Sequence, residues 1–477
     1  MFFSRKLSRA QFYSISCVLL LVYMGMVFST GKPYTDDLAR IMLNYLRWSE
    51  DGRPLADLVV FLLSFGGRII DIAPMSQVLS ILVCALSCLI IADNSSDGLN
   101  LKNLIATSIL FTTPFFIQNA SYHFDVITIS LAILFAVIPL AFVNKGVITA
   151  SIVFFSCSVA SLSLYQPAIG VLYAYVLCRA ISDDGINIKS ALFGLFSSAI
   201  GIIFYAAIVA PAFLSGSYSA SMSRRLPLNA DGMSGFISNV NSYVSSLSLL
   251  FDGVYLYVFL AVFSILLCWI SVRVFSFKIS RLVVSSTALV AVVSSVIMFM
   301  IYKDAATYPR VMISVGAVIS AIFIATASNG SLLRYPSVVA LLIVCVMNLS
   351  YWSSAHNLIN DSFDNEADIS RMIRADTFDE EANGKVIVHG YPKLTKYSSF
   401  IVERMPLLGY IFHPNLGWNT TRLFSEITSP GLMTSKGKYN PHPSEVCGYI
   451  FKKYNGIYSI TIKDGVLHVV FRNEKCL

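Results

Sequence analysis

The chain has 477 residues, 56% of them hydrophobic and 13% charged, with a formal net charge of +7 and a mean hydropathy of +0.70. A soluble domain carries about 25% charged residues, so this balance excludes a soluble enzyme, a disordered chain and a nucleic-acid-binding protein. The excess positive charge does not point to nucleic acid, because Lys and Arg are scattered between apolar runs rather than gathered on one face.

Apolar stretches near the length that crosses a bilayer, about 20 residues, predict eleven spans. They fall at 12–29, 73–92, 104–118, 126–143, 148–164, 167–181, 191–213, 255–272, 282–302, 311–326 and 337–351. The first follows a basic start (Arg5, Lys6, Arg9) but is too long for a signal-peptide core, and no small-residue cleavage site follows, so it reads as retained. With the N-terminus in the cytoplasm, the inside loops hold Lys102, Lys145, Arg179, Lys189, Arg273, Lys278, Arg281 and Arg334. The short outside turns 119–125 and 165–167 carry no Lys or Arg, a bias that predicts an N-in topology with the C-terminus outside.

Three outside segments are long: 30–72, 215–254 and the tail 352–477. The first predicts a helix capped by Thr35, with Asp36 and Asp37 in its first turn. Leu38, Ile41, Met42, Tyr45 and Trp48 share one face and Asp37, Arg40, Asn44 and Arg47 the other, the pattern of an amphipathic helix lying on a membrane surface. Asp51-Gly52-Arg53-Pro54 reads as the turn that ends it, and 55–65 as a second apolar interfacial segment. The tail holds 27 of the 61 Lys, Arg, Asp and Glu and predicts a folded C-terminal α/β domain, with a strand at 385–389 and a hairpin turning at Lys463-Asp464-Gly465. Domains are thus expected at 1–351 and 352–477.

Seven of nine cysteines (Cys17, Cys84, Cys88, Cys157, Cys178, Cys268, Cys345) fall in predicted spans, where a thiol is a small apolar filler. Cys447 and Cys476 lie in the tail, where an oxidising compartment favours pairing, though spacing alone cannot fix the geometry. No Cys–His spacing resembles a zinc site.

Most span centres lack ionisable residues, and no broken Gly/Pro helix pair accompanies them, which speaks against a transporter. Charges gather at the outer ends of spans instead: His123, Asp125, Lys303, Asp304 and Arg310. Each candidate has two readings. Asp36 and Asp37 either stabilise a helix start, by about 0.3–1 kcal/mol, or supply a general base whose pKa is raised by its neighbour. Arg53, Arg224, Arg225, Lys303 and Arg310 either pair with headgroups or together grip the phosphate of a lipid-linked substrate. The turns holding His123 with Asp125, and Tyr165-Gln166-Pro167, are either plain connections or parts of that site.

Three pieces in order make the chain recognisable: Asp36-Asp37-Leu38 through Asp51-Gly52-Arg53-Pro54-Leu55, then Ser121-Tyr122-His123-Phe124-Asp125, then Tyr165-Gln166. The chain resembles the integral-membrane O-antigen glucosyltransferases that convert serotype, the Gtr group of the GT-C class. That resemblance implies a GT-C-like membrane fold in the bacterial inner membrane with the C-terminal domain in the periplasm. It implies transfer of glucose from undecaprenyl-phosphate-glucose to a sugar hydroxyl of lipid-linked O-antigen on the periplasmic face, among membrane lipids and without a metal or cofactor. Carried onto this chain, the base is Asp36 or Asp37, and the substrate-binding residues are Arg53, His123, Asp125, Gln166, Lys303 and Arg310. His123 stands where relatives often have Arg. In the tail, Trp352, Tyr391, Tyr397 and Trp418 either stack on sugars or build a core. The competing readings are an O-antigen polymerase or ligase, expected to rely on arginine-rich large outside loops, and a polysaccharide or lipid transporter.

Overall fold

The computed structural model describes residues 5–34, 36–182, 185–215, 224–227, 229–250, 256–258, 260–261, 263–264, 279–303, 305–326, 334–377, 385–390, 392–412, 438–440, 453–454, 456–464 and 466–471. Thr35, Asp304, Tyr391, Trp418, Cys268, Cys447, Cys476 and most of the span expected at 255–272 lie outside the described residues. The chain divides into two units, one of Met1–Gly31 with Asn44–Ser353 and the other of Lys32–Leu43 with Ser354–Leu477.

The larger unit is helical. Among the described residues, seven helices are long and apolar enough to cross a membrane: Arg9–Phe28, Met75–Asp93, Asp125–Phe142, Val147–Leu164, Ile188–Phe213, Leu282–Met300 and Arg334–Asp376. They carry exposed bulky apolar side chains such as Val18, Leu21, Leu82, Ile148, Phe196 and Ile203, the surface a lipid environment accepts. Three other expected spans are shorter in the structure. The stretch 104–118 breaks where Pro114, with its fixed φ and missing N–H, closes the helix Leu101–Thr112 and opens Pro114–Ala120. The stretches 167–181 and 311–326 begin as 3-10 turns, Gln166–Ala168 and Pro309–Val311, before the helices Ile169–Ser182 and Ile313–Thr326. Segment 55–65 forms the apolar helix Pro54–Leu63, with Arg53 at its N-cap and Pro54 at its first position.

Small and hydroxylated residues join these helices, as expected where the surroundings are as apolar as the interface. Ser80 meets Ser130 at 2.6 Å, Ser158 meets Ser198 at 2.7 Å, and the Tyr175 hydroxyl donates to Ser320 at 2.7 Å. The helix ends sort into two sets. At one end Arg9 pairs with Asp93 at 2.9 Å, Leu7 donates to the Leu99 carbonyl at 3.0 Å, and Asn94, Ser95, Leu140 and Arg179 line one small cavity. The other end gathers the start of Asp125–Val137, the finish of Val147–Leu164 and the 3-10 turn before Ile313–Thr326. Trp352 belongs to this unit: it is fully buried and its indole N–H donates to the Thr112 carbonyl at 2.7 Å, so it builds core rather than a sugar platform.

The smaller unit contains a five-stranded sheet of β1 (Lys385–His389), β2 (Lys438–Asn440), β3 (Lys453–Tyr454), β4 (Tyr458–Lys463) and β5 (Val466–Phe471) in the order β2-β1-β5-β4-β3. β1 runs parallel to both β2 and β5, and β4 pairs antiparallel with β3 and β5. Asp464, at φ 54°, turns the β4–β5 hairpin. Ile369 and Ile373 pack on Val388, Ile460, Leu467, Val469 and Phe471, and the Tyr458 hydroxyl donates to Asp376 at 2.7 Å. The Asp361 carboxylate accepts from the hydroxyls of Thr395 and Ser398, fixing the start of the helix Lys396–Arg404. Tyr397 is 52% exposed on that helix.

Candidate functional site

The first-loop helix runs only over Asp36–Leu43. Asn44 and Arg47 take left-handed φ values of 53° and 67°, which end it at Leu43, five residues before Trp48. Its polar side is not turned to water, contrary to the surface-helix expectation: Asp37 is fully buried and Arg40 is 6% exposed. The Tyr34 amide donates to Asp37 Oδ2 at 3.3 Å, while the Tyr34 hydroxyl donates to the Ile411 carbonyl at 2.7 Å and its ring meets Phe412 edge-on. Asp36, by contrast, is half-buried. The two acids therefore sit in the smaller unit in unlike surroundings.

Trp48 begins a tight turn in the larger unit. The Asp57 carboxylate, one helical turn into Pro54–Leu63, accepts from the amides of Trp48 and Ser49 at 2.9 and 2.7 Å. A 3-10 turn, Ser49–Asp51, follows, and Gly52 at φ 77° swings the chain so that the Arg53 amide returns to the Trp48 carbonyl at 2.9 Å. Glycine is needed here, where a side chain is strained. Trp48 is fully buried, not interfacial, and its indole N–H donates to Asp125 Oδ1 at 2.9 Å. Arg53 Nη1 donates to the same oxygen at 2.9 Å, and Nη2 lies 3.4 Å from Asp51.

Asp125 stands in the first turn of Asp125–Val137, where the helix dipole favours a carboxylate. Burial strips the Arg53 guanidinium of water, yet Asp125, then Asp51, outweigh that cost and hold its pKa above the ordinary value. The Arg53 side chain remains 15% exposed and lies over the Tyr165 ring, 6.0 Å from its centre. The Tyr165 hydroxyl donates to the Arg310 carbonyl at 3.0 Å. Burial pushes the Tyr165 phenol up to about 12, against the pull of Arg310 and Arg53, so it stays a neutral donor.

Arg310 is the second cation. Gln118 accepts from its amide at 2.9 Å, Asn119 donates to its carbonyl at 3.2 Å, and its guanidinium donates to the Tyr122 hydroxyl while lying 5.8 Å from the ring centres of Tyr122 and Tyr308. Gln166 donates from Nε2 to the Asp51 carbonyl at 3.1 Å and to the Tyr205 hydroxyl at 2.9 Å. The structure thus brings Arg53, Asp125, Gln166 and Arg310 into one cluster. His123 is buried near them, with Nδ1 3.0 Å from Asp71 Oδ1. Lys303 is exposed, and its amide pairs with the Arg224 carbonyl at 2.8 Å.

The turn Tyr165-Gln166-Pro167 is a sequence candidate for this site, whereas nothing in the sequence marks Trp48, Tyr205 or Asp71 as partners of the cluster. A tryptophan five residues before an arginine is the only local hint; Tyr205 sits in an apolar run that announces nothing. Among the described residues no group of His, Cys, Asp and Glu is arranged to hold a metal.

A protein described as an uncharacterized 55.3 kDa protein in the gtrB 5′ region of Salmonella phage P22 is 29% identical over 255 residues, 51% of this chain and 51% of the phage protein. The aligned part thus spans about half the length of that curated relative. No solved structure matches. The family model for glucosyl transferase GtrII matches residues 25–325, a stretch that contains Asp36 and Asp37, the Trp48–Arg53 turn and the arginine cluster. The chain belongs to the GtrII glucosyl transferase family.

Proposed function

We propose that this protein is an inner-membrane glucosyltransferase that takes glucose from undecaprenyl-phosphate-glucose and places it on a sugar hydroxyl of lipid-linked O-antigen at the periplasmic face. Family membership supports the sugar and the transfer. The observation that carries the reading is the pair of arginines, Arg53 and Arg310, joined through Tyr165 at one end of the apolar helices. A lipid phosphate sits at headgroup depth, and guanidinium groups grip it with paired charge-assisted bonds.

The reaction needs a base for the acceptor hydroxyl, and Asp36 takes that role here. Asp37 is fully buried and accepts from the Tyr34 amide, a structural duty. As the hydroxyl proton passes to Asp36, the acceptor oxygen bonds to the sugar's anomeric carbon. The carbon–oxygen bond to the carrier phosphate breaks, and the phosphate leaves into the arginine site. A single in-line displacement of this kind inverts the anomeric centre. Topology in this reading is N-terminus in, with eleven crossings and the tail outside. The basic residues Arg5, Lys6, Arg9, Lys102, Lys145, Arg179, Lys189 and Arg334 would then face the cytoplasm.

The test is transfer of labelled glucose from polyprenyl-phosphate-glucose to O-antigen in membranes. General-base loss costs about 10²–10⁴-fold, so Asp36→Asn should fall by at least about 100-fold with normal membrane insertion. Asp37→Asn should chiefly lower the amount of folded protein. An Asp36→Asn enzyme with unchanged turnover would remove the base assignment.

A further inference from the structure

The apolar helix Ile188–Phe213 contains one irregularity. After Phe204 it widens into a π-helical turn, Tyr205–Val209, before closing again at Ala210–Phe213. A π turn inserts one residue and re-aims the side chains at the insertion, at a cost in regular helix geometry. Its neighbours Ile203, Phe204 and Ile208 are 66%, 37% and 56% exposed, whereas Tyr205, the first π residue, is turned inward at 7%.

The inward side chain ends on the backbone of the arginine turn. The Tyr205 hydroxyl donates to the Gly52 carbonyl at 2.7 Å and accepts from Gln166 Nε2 at 2.9 Å. Gln166 Nε2 also reaches the Asp51 carbonyl at 3.1 Å. Both carbonyls that precede Arg53 are therefore held by side chains from other parts of the fold. The fit is close: a Cβ on Gly52 would meet the Tyr205 hydroxyl oxygen at 2.9 Å. A carbonyl left without a donor in such buried surroundings is costly. Without the hydroxyl, the turn must move to find another donor, and Arg53 moves with it.

We propose that Tyr205, delivered by the π turn, is a positioning residue that sets the place of the Arg53 guanidinium through the Tyr205–Gln166 latch on Asp51-Gly52. This rests on Arg53 gripping the donor phosphate, as proposed above. Gln166 accordingly acts on the turn and not on substrate.

The experiment compares Tyr205→Phe with the parent enzyme in detergent or nanodiscs, using polyprenyl-phosphate-glucose as donor. Loss of one buried hydrogen bond translates to about a five- to tenfold change, expected in donor KM with kcat within about twofold. In an Arg53→Lys background the same substitution should add less than about twofold, since the latch has no properly seated guanidinium left to place. An unchanged donor KM, or an equal rise in both backgrounds, overturns the positioning role. An Arg53→Lys enzyme whose own donor KM is normal overturns the phosphate assignment itself, a separate failure. Should Tyr205→Phe fail to accumulate, Gln166→Met carries the same test, because it removes the donor to both Asp51 and Tyr205 while keeping side-chain length.

Discussion

Two buried ion pairs in the larger unit differ in how they are built. Lys102 and Asp97 are five residues apart, with side chains 3% and 11% exposed. The same short loop is stitched by Asn103, whose Nδ2 reaches Ser95 Oγ and the Gly98 carbonyl at 2.8 Å each. Arg53 and Asp125 are 72 residues apart, and Trp48 and Asp51 from the turn before Arg53, with Tyr165 from a distant segment, crowd around them. The first pair forms with its local loop. The second exists only once the helices have assembled, and Trp48 and Arg53 both bind Asp125 through Oδ1, which leaves Oδ2 outside those bonds. The locally closed pair belongs to its own loop; the pair gathered from distant segments and left at a partly open edge is the one we propose meets a ligand.

That contrast is broken or sharpened most strongly by Arg53→Ala. It removes the proposed charge-assisted grip on the donor, about 1.5–3 kcal/mol, so kcat/KM for the donor should fall by about 100-fold in the folded enzyme; Asp125, left buried without its cation, should also lower the unfolding temperature. Lys102→Met should act on another readout. Removing one partner of a buried pair costs about 3–5 kcal/mol, so the thermal unfolding temperature in detergent should drop clearly while folded enzyme keeps its donor KM. A Lys102→Met enzyme as catalytically damaged as Arg53→Ala would erase the distinction. Trp48→Phe is milder: it deletes one bond to a carboxylate, about 1.5–3 kcal/mol, and should raise donor KM by about tenfold or more. No change would mean that Asp125 is held by Arg53 alone.

These differences also explain what could be read from the sequence. Apolar length marks a span directly, and 148–164 became Val147–Leu164. Pro114 is equally visible, but the total hydropathy of 104–118 predicts one continuous span, and the missing N–H of the proline breaks it. The first-loop helix failed at Asn44 and Arg47, non-glycine residues in left-handed conformations that helical periodicity cannot anticipate. Helical periodicity therefore places Trp48 on the apolar face of that helix, whereas it lies buried against Asp125. Arg53, Asp125, Gln166 and Arg310 are individually conspicuous in the sequence as charged and polar residues beside apolar runs. Their mutual bonds were not legible, since they join segments tens to hundreds of residues apart and no local pattern encodes such a distance. Tyr205 is the extreme case: one hydroxyl in an apolar run, brought to the Gly52 carbonyl by a π turn.

The smallest expected effect concerns Asp71 and His123. Burial pushes the Asp71 carboxyl up, but the bond to His123 and the Ala73 amide at 3.0 Å outweigh it, so its pKa lies below the ordinary carboxylate value. A carboxylate lowered in this way stabilises the fold fully above that ordinary value and loses its contribution as pH falls through it toward the lowered one. Asp71 is 38% exposed at its side chain, so solvent screens the interaction and the stabilisation is small. Asp71→Asn should therefore melt slightly below the parent protein at pH 7, with the gap closing below about pH 4. A gap that persists unchanged at pH 3 would mean that Asp71 holds His123 by hydrogen-bond geometry alone. In that case the advantage over an amide at the same place does not come from the carboxylate's charge.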